Sequence, residues 1–118
     1  MKKTFLKNKK NIQFLIIGLG LIGGSVAKRL SKNGFEILAI EKNKSHLNHA
    51  KKSKILNGGL EKIDSTKKLF VIVALPPKIL LRNFDKYLDL FHKADFVTDC
   101  TSVKGSLINK IKKNKLES

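Results

Sequence analysis

The sequence is poor in the residues that mark several specialised classes of protein. Its 118 residues include one cysteine, two prolines, one tyrosine and no tryptophan. A single cysteine excludes an intrachain disulfide framework and a multi-cysteine metal site, and it fits a reducing compartment, so we expect a cytoplasmic protein. No apolar run approaches the length of a membrane-spanning helix, and we therefore expect no membrane partner.

Acidic residues are also scarce, which leaves a strongly basic chain. Lysine and arginine number 25 against 9 aspartates and glutamates, for a net charge of +16, and much of the excess lies near the two ends. We expect residues 1–11 to be a basic, flexible arm and residues 12–118 to be one domain. Clustered lysines are typical of proteins that bind nucleic acid, because they neutralise its phosphates. The aromatic side chains that stack on single strands are few, however, so we favour an ordinary lysine-rich surface over a nucleic-acid partner.

Apolar runs and helical patterns alternate along the domain. Buried parallel strands are predicted at residues 12–17, 35–40, 69–75 and 96–98, with a short edge strand at 60–63. Helices are predicted at residues 21–33, 44–54, 79–91 and 103–113, and Gly34 is placed to cap the first of them. This alternation, with right-handed crossovers, predicts an α/β fold with a doubly wound parallel sheet.

A glycine-rich segment joins the first predicted strand to the first predicted helix. Its sequence, GLGLIG, has the spacing G-x-G-x-x-G. The first glycine permits a tight turn, the second lets the backbone approach a pyrophosphate, and the third lets the helix lie close to the strand. The helix N-terminus adds unpaired N–H groups and partial positive charge, so we predict a dinucleotide site in a Rossmann-type fold. The glycine turn consists of Gly18, Leu19, Gly20, Leu21, Ile22 and Gly23.

An acidic residue at the end of the second predicted strand supports this interpretation. Glu41 stands 18 residues after Gly23, where a carboxylate can accept hydrogen bonds from the ribose hydroxyls of adenosine. The same charge would repel the 2′-phosphate of NADP, so NAD is the predicted cofactor. Lys42 and Lys44 lie beside it and could compensate, which leaves NADP open.

Two other interpretations of the glycine-rich segment are weaker. A phosphate-binding loop of the NTPase type needs a lysine after its last glycines, and here Ser25 follows Gly24. An export signal would have a basic start, an apolar centre and small residues at a cleavage site, and all three features are present. Cleavage there would remove the first strand of an otherwise complete alternation, so we favour the folded strand and turn.

Three segments of the sequence together match the pattern of one enzyme family. The glycine turn continues as GSVA, with the extra glycine and serine typical of that family. Residues 71–76, VIVALP, are similar to a segment beside the nicotinamide ribose, which implies cofactor contacts for Ala74, Leu75 and Pro76. Residues 97–104, VTDCTSVK, are similar to the family's Asp-x-x-Ser-x-Lys segment. Together the three segments resemble prephenate and arogenate dehydrogenases, the enzymes of tyrosine biosynthesis. The third match best distinguishes these enzymes from hydroxyacid dehydrogenases and pyrroline-carboxylate reductases, which share the glycine turn alone.

The resemblance implies NAD-dependent oxidative decarboxylation of prephenate or arogenate. In the family the serine of the third segment lies beside the catalytic histidine and the ring hydroxyl of the substrate, which points to Ser102. Cys100 and Thr101 depart from the family pattern, which has an aliphatic and a small residue there. The family's His-Pro-Met segment, and the helical domain through which it dimerises and encloses substrate, have no counterpart in the sequence. We therefore expect these residues to bind a dinucleotide without completing catalysis.

Other chemically active residues have simpler explanations. His46 and His49 are three residues apart on a predicted polar helix, and two histidines alone do not make a metal site, so no metal is predicted. Cys100 fits a small buried side chain better than a nucleophile. Asp99 is either a general base or, more simply, a cap before the last predicted helix. Lys104 either contacts the carboxylates of the substrate or is one more exposed lysine.

A function from a different class also stays open. The chain could be a stand-alone nucleotide-binding module, or a basic module associated with nucleic acid, with no catalysis of its own. Salt-dependent retention on DNA without retention on a dinucleotide resin would favour that alternative.

Overall fold

The structure is a computed structural model that describes residues 9–99 of the 118. A 3-10 turn at Lys9–Asn11 leads into the first strand, and a second 3-10 turn covers Leu60–Lys62. The strands are β1 (Ile12–Ile17), β2 (Glu36–Ile40), β3 (Lys68–Val73) and β4 (Phe96–Asp99). The helices are α1 (Leu21–Lys32), α2 (Lys44–Lys52), α3 (Pro77–Arg82) and α4 (Phe84–Lys93). The predicted helix at 103–113 lies outside the described residues.

The four strands form one parallel sheet in the order β2-β1-β3-β4. In its register Ile17 lies opposite Ile40 on one side and Val73 on the other, and Val73 lies opposite Asp99. All four strands therefore end at the same edge of the sheet. Loops that follow these strands meet there, which is where ligands bind in open α/β sheets.

Helices cover both faces of the sheet, which confirms the doubly wound prediction. Successive side chains of a strand point to opposite faces, so β1 contributes Phe14 and Ile16 to one core and Leu15 and Ile17 to the other. The first core includes Ala27 of α1 and Ala50 of α2, and the second includes Leu80 of α3 and Phe91 of α4. Burial on both faces explains the unbroken apolar sequence of β1, all six residues of which are buried.

The predicted edge strand at residues 60–63 is wrong. The chain instead meets the edge of β2 earlier, where Ala39 N–H donates to the Gly58 carbonyl at 3.1 Å and Asn57 N–H donates to the Ile37 carbonyl at 2.7 Å. Residues 62–64 are held elsewhere by Gln13, a fully buried side chain of β1. Its amide donates to the Lys62 carbonyl and accepts from Asp64 N–H, each at 2.8 Å. These bonds keep the segment out of the sheet.

The predicted single helix at residues 79–91 is two helices. Helix α3 ends at Arg82 and α4 begins at Phe84, with Asn83 between them at φ −107°. Both the backbone N–H and the side-chain amide of Asn83 donate to the Ile79 carbonyl, at 3.1 and 2.8 Å. Asparagine competes for backbone groups in this way, and it ends the first helix while its own carbonyl accepts from Lys86 N–H to start the next.

Other boundaries agree with the sequence to within two residues. Helix α1 ends at Lys32, and Gly34 follows with φ +87°, as predicted for a capping glycine. Within residues 9–99 none of the helices combines the length and the apolar character that a bilayer crossing requires.

Candidate functional site

The glycine turn lies at the carboxyl edge of the sheet, between β1 and α1. Its first residue, Gly18, has φ +98°, and a Cβ there would lie 2.9 Å from the Ala74 carbonyl oxygen. Gly18 N–H donates to the Ile40 carbonyl at 2.9 Å. Both the left-handed conformation and the close approach of the backbone after β3 require glycine at this position.

Gly23 is required because helix α1 lies directly on the turn. A Cβ at Gly23 would lie 1.8 Å from the Gly18 carbonyl oxygen and 3.0 Å from Cβ of Ala74. The protein cannot accommodate a side chain there without moving backbone. The geometry therefore supports the predicted role of Gly23, which is to let helix α1 lie close to the strand.

Gly20 differs from these two glycines, because apart from its neighbours in the chain no atom of the described residues lies within 4 Å of where its Cβ would be. Packing within the described part of the chain therefore gives no reason for glycine at this position. Gly20 is the N-cap residue of α1, and no side chain caps that helix end. Open space above a helix N-terminus whose first N–H groups lack a side-chain cap suits a phosphate group that approaches from outside.

The other residues of the turn divide between core and surface. Leu19 is buried in the core beside α1 and α2, whereas Leu21 and Ile22 are 90% and 53% exposed. Their side chains stand at the start of α1, next to Gly20. Large apolar side chains so exposed are unusual on a solvated helix and suit a surface that a ligand or further protein covers.

Glu41 follows β2 and reaches back to the glycine turn. Its carboxylate accepts hydrogen bonds from Leu19 N–H at 2.5 Å and Asn43 N–H at 2.9 Å, and His46 Nδ1 lies 3.6 Å away. Burial raises the pKa of this carboxyl, but the Asn43 and Leu19 hydrogen bonds and the His46 contact outweigh that effect and hold the pKa below its usual value. Glu41 is therefore ionised at neutral pH beside the turn.

The segment after β3 completes this edge of the site. Ala74 N–H donates to the Ile17 carbonyl at 2.8 Å, which places Ala74 against the glycine turn. The Leu75 side chain lies beside Gly18. Pro76 precedes α3, and its carbonyl accepts from Leu80 N–H at 3.0 Å to start that helix. The sequence-predicted site residues at 74–76 and the glycine turn are thus neighbours.

A cavity of about 160 Å³ opens between Glu41 and the glycine turn, and we call it the Tyr87 cavity. It is lined by Ile17, Gly18, Ile40, Glu41, Lys42, Leu75, Ile79, Asn83 and Tyr87. Asn83 and Tyr87 were not foreseen from the sequence. The signal that could have drawn attention to Tyr87 is that it is the one tyrosine of the chain.

Tyr87 belongs to helix α4, is buried, and lines this cavity. Only 6% of the residue is exposed, and its ring lies 6.2 Å from that of Phe91. Burial raises the pKa of the Tyr87 hydroxyl, and the negative charge of Glu41 raises it further. The hydroxyl therefore stays protonated, close enough to Glu41 to sense its charge.

A second cavity of about 250 Å³ lies between α1 and α2, on the other side of Gly20. Its lining includes Ser25, Lys28, His46 and His49. His46 and His49 therefore lie beside the glycine turn, and no further histidine, cysteine, aspartate or glutamate lines this cavity with them. Within residues 9–99 no group of three or more histidine, cysteine, aspartate or glutamate side chains could hold a metal ion.

The remaining candidates lie at or beyond the end of the described chain. Asp99, the last residue of β4, is 6% exposed and lies opposite Val73, one residue before Ala74. Cys100, Ser102 and Lys104 lie outside the described residues. Their roles remain predictions.

Comparison with known proteins agrees with this architecture. Residues 14–69 match the TrkA-N domain family. Over 39 residues the chain is 49% identical to the Ktr system potassium uptake protein A of Bacillus subtilis (strain 168). That alignment covers 33% of this chain and 18% of the uptake protein, so the likeness is confined to a single segment.

Solved structures match most of the chain. A Synechocystis arogenate dehydrogenase superposes with a TM-score of 0.70 at 23% identity, over 86% of this chain and 37% of the enzyme. An Aquifex aeolicus prephenate dehydrogenase in complex with hydroxyphenyl propionate and NAD+ superposes with a TM-score of 0.65 at 27% identity, over 87% and 38%. A second structure of the Aquifex aeolicus enzyme gives 0.65 at 29%.

The chain spans well under half the length of each of these dehydrogenases. The part that matches is their N-terminal region. The fold expected from the sequence and the relatives expected from its motifs therefore agree. This chain is a Rossmann-type domain with the fold of the N-terminal region of prephenate and arogenate dehydrogenases.

Proposed function

We propose that the chain binds NAD at the glycine turn and is the cofactor-binding part of a prephenate or arogenate dehydrogenase. One observation carries the proposal. Protein atoms block a side chain at Gly18 and at Gly23, whereas the space above Gly20 is open. A glycine that packing does not require, at the start of a helix without a side-chain cap, is explained by a pyrophosphate that must approach the backbone.

The residues around the turn suit the rest of a dinucleotide. The ionised Glu41 carboxylate accepts hydrogen bonds from the ribose hydroxyls of the adenosine half. Its negative charge repels a 2′-phosphate, which favours NAD over NADP. Lys42 and Lys44 follow it in the chain and could offset that repulsion, so NADP is the second candidate cofactor. The prephenate dehydrogenase that superposes on this chain was solved with NAD+ bound, which supports the choice.

The catalytic part of the proposal rests on the resemblance. When bound, NAD supplies the hydride acceptor for an oxidative decarboxylation that makes the substrate ring aromatic. Ala74, Leu75 and Pro76 line the path from the glycine turn toward the nicotinamide ribose. In the family the corresponding serine lies beside the ring hydroxyl of the substrate and the histidine that accepts its proton, and the resemblance assigns that role to Ser102. That histidine and the substrate-enclosing domain belong to the family's pattern and have no counterpart among these 118 residues.

Calorimetric titration with NAD tests the cofactor assignment. The Gly20→Val side chain should collide with the pyrophosphate without disturbing the fold, since its surroundings are open. We expect micromolar-range binding by the native sequence and a loss of at least about tenfold in the variant, a cost of about 1.4 kcal/mol. Gly24→Ala is the matched control, because a Cβ there makes only an ordinary contact of 3.4 Å with the Leu19 carbonyl.

The outcomes separate the two functional classes. Equal NAD affinity in the native and Gly20→Val proteins would contradict binding at the turn. Retention on DNA that falls with salt, together with no binding of NAD or NADP, would favour the basic nucleic-acid-associated module instead.

A further inference from the structure

The fold distributes charge unequally between the helices on the two faces of the sheet. Helices α3 and α4, which cover one face, contain both basic residues and the carboxylates of Asp85 and Asp89. Helices α1 and α2, which cover the other face, contain no aspartate or glutamate. The lysines and arginine of these two helices are Lys28, Arg29, Lys32, Lys44, Lys51 and Lys52.

A groove of about 710 Å³ lies on the outer side of α1, and we call it the α1 groove. Its lining consists of Ser25, Val26, Lys28, Arg29, Lys32 and Asn33. Every charged side chain of this lining is therefore a cation, and Lys28, Arg29 and Lys32 are all exposed. Among residues 9–99 none of these three cations takes part in a salt bridge.

The α1 groove adjoins the cavity between α1 and α2 described above. Ser25 and Lys28 line both depressions, and the cavity adds His46 and His49. Glu41, whose carboxylate lies 3.6 Å from His46 Nδ1, lines neither of them. A concave surface lined by charges of one sign concentrates counter-ions, so this surface attracts a polyanion.

Another cavity shows that this lining does not follow simply from the basic composition. It has a volume of about 820 Å³ and lies around the start of β3 and along α4. Its charged lining residues are Lys67, Lys68, Lys86, Lys93, Asp64, Asp89 and Asp95. Lys68 Nζ lies 3.8 Å from the Asp95 carboxylate. Lysines thus stand beside carboxylates in that cavity, whereas in the α1 groove they do not.

The spacing of the cations on α1 matches that of phosphates in a nucleic-acid strand. From Ser25 to Lys32 the helix rises by about 10 Å, at about 1.5 Å per residue. One strand of a B-form duplex carries a phosphate about every 3.4 Å along the axis, so about three phosphates span the same distance. Lys9 adds a cation at the end of the groove, where its ammonium donates a hydrogen bond to the Asn33 carbonyl.

The linings also indicate which polyanion fits. Proteins that bind single strands stack the bases on aromatic side chains, and no aromatic residue of the described chain lines the α1 groove or the adjoining cavity. Helices that bind a membrane surface carry an exposed apolar face along their length. The exposed Leu21 and Ile22 of α1 instead lie about two turns or more before Arg29 and Lys32. Contacts with the backbone of a duplex require neither feature.

We propose that the α1 groove and the adjoining cavity bind the phosphate backbone of double-stranded nucleic acid, with Lys28, Arg29 and Lys32 on the phosphates. Contacts with phosphates carry no base information, so this binding is independent of sequence and falls with salt. Composition alone favoured an ordinary lysine-rich surface, because it does not show that the fold separates these cations from carboxylates. The inference goes beyond the proposed function and does not require that NAD binds.

The test is the salt dependence of binding by the full 118-residue chain to a short, fluorescently labelled DNA duplex. A triple variant, Lys28→Gln with Arg29→Gln and Lys32→Gln, removes the three charges of the groove. Each lost phosphate contact lowers the slope of log K against log salt by about 0.9, so we expect the slope to fall by about 2.7. Affinity at about 0.1 M salt should fall by at least about tenfold.

A matched control removes the same charge from the opposite face of the sheet. It combines Lys78→Gln, Lys86→Gln and Lys93→Gln, which change exposed lysines of α3 and α4. Glutamine and lysine have similar helix propensities, so both triple variants should fold, and circular dichroism checks this. The control should keep the slope and the affinity of the native sequence. A duplex of unrelated sequence should bind the native chain equally well.

Three results would overturn the proposal. Equal losses in the two triple variants would show that net charge, and not the α1 groove, attracts DNA. Failure of the native chain to bind the duplex at low salt would exclude the partner. Vesicles of phosphatidylserine and phosphatidylcholine test the other source of phosphates. If the native chain binds them and not the duplex, and the α1 variant loses that binding, the partner is a lipid surface.

Discussion

The Glu41 carboxylate accepts a hydrogen bond from the backbone N–H of Leu19, which ties the end of β2 to the glycine turn. The two residues are 22 positions apart, and the bond joins the two segments that are expected to hold the ribose and the pyrophosphate. Glu41 therefore has a structural part, which is to hold the turn, as well as its proposed part in cofactor choice. Substitutions can separate the two.

Glu41→Gln and Glu41→Ser should both change cofactor preference. Each removes the negative charge, so the ratio of NAD to NADP affinity should fall by about tenfold, since like charges a few ångströms apart repel by on the order of 1 kcal/mol or more. Only glutamine keeps an acceptor for Leu19 N–H, so the serine variant should also bind NAD more weakly. Calorimetry with both cofactors checks this. An unchanged ratio in both variants would mean that the neighbouring lysines set the preference.

The tie between Glu41 and Leu19 should also depend on pH. The pKa of Glu41 is held below its ordinary value of 4.5, so its ionised form stabilises the fold above the unfolded-state pKa, and that contribution disappears as the pH falls through the folded-state pKa. Urea unfolding of the native protein and Glu41→Gln between pH 6 and pH 3.5 measures it. We expect the native protein to be the more stable at pH 6 and the difference to shrink as the pH falls. A difference that is constant with pH would contradict the assignment.

Gly23→Ala should destabilise the protein strongly. The added Cβ would lie 1.8 Å from the Gly18 carbonyl oxygen, so helix α1 must move off the turn. Overpacking typically costs about 1–3 kcal/mol and occasionally more, and a clash with backbone places Gly23→Ala at the upper end. Gly24→Ala, one position later, should be neutral or stabilise by up to about 1 kcal/mol, as glycine-to-alanine changes inside helices do. Denaturant unfolding of both variants gives the comparison, and similar stabilities would show that α1 is not fixed against the turn.

Gln13→Ala tests the buried polar contact under the sheet. The substitution leaves the Lys62 carbonyl and Asp64 N–H without the partners that Gln13 provides. Buried polar groups that lose their hydrogen bonds cost about 1–3 kcal/mol each, and because these two backbone groups are only partly buried we expect a total loss of about 1–3 kcal/mol in the free energy of unfolding. Ser65→Ala, at an exposed position in the loop that follows, is a suitable control. A loss below about 0.5 kcal/mol for Gln13→Ala would mean that solvent replaces the side chain.

A polypeptide of these 118 residues should bind NAD yet oxidise prephenate and arogenate poorly. None of its three histidines occupies the position of the family's base, and general-base catalysis typically contributes about a hundred- to ten-thousand-fold. The enclosing domain would add positioning of the substrate. NADH absorbance in the presence of each substrate measures turnover. A rate typical of the family would point to another base, with Asp99, Cys100 and His92 as the first residues to substitute.

Much of the fold could be predicted because its signals are local. The apolar run of β1 and the spacing of its following glycines identify a strand, a turn and a helix within about a dozen residues. Glu41 was placed at the site for the same reason, since its distance from the turn is set by one helix and one strand. The bond from Glu41 to Leu19 was not foreseen, because it depends on how β2 lies beside β1.

The errors arose where the hydrogen bonds of one polar side chain, Asn83 or Gln13, decide the local structure. Leu80 and Phe84 are four residues apart, which is the spacing of one face of a continuous helix. The break at Asn83 lies between them and does not alter that spacing, so the apolar pattern does not reveal it. The place of Tyr87 in a cavity follows from the break and was missed with it. Residues 60–63 have strand-like composition. The buried Gln13 side chain of β1 binds the backbone of Lys62 and Asp64, however, so this segment does not pair with the edge of the sheet.

The contacts of Asn57 and Gly58 with β2 have a consequence for how copies of the protein meet. An outer strand with free N–H and carbonyl groups is a template on which another molecule can add a strand, and that is a common route to aggregates. Here Ile37 and Ala39 already exchange three hydrogen bonds with Asn57 and Gly58. A short, non-strand segment thus occupies the outer edge of β2, so another molecule cannot add a strand to these residues, although no charged side chain lies at the centre of the strand.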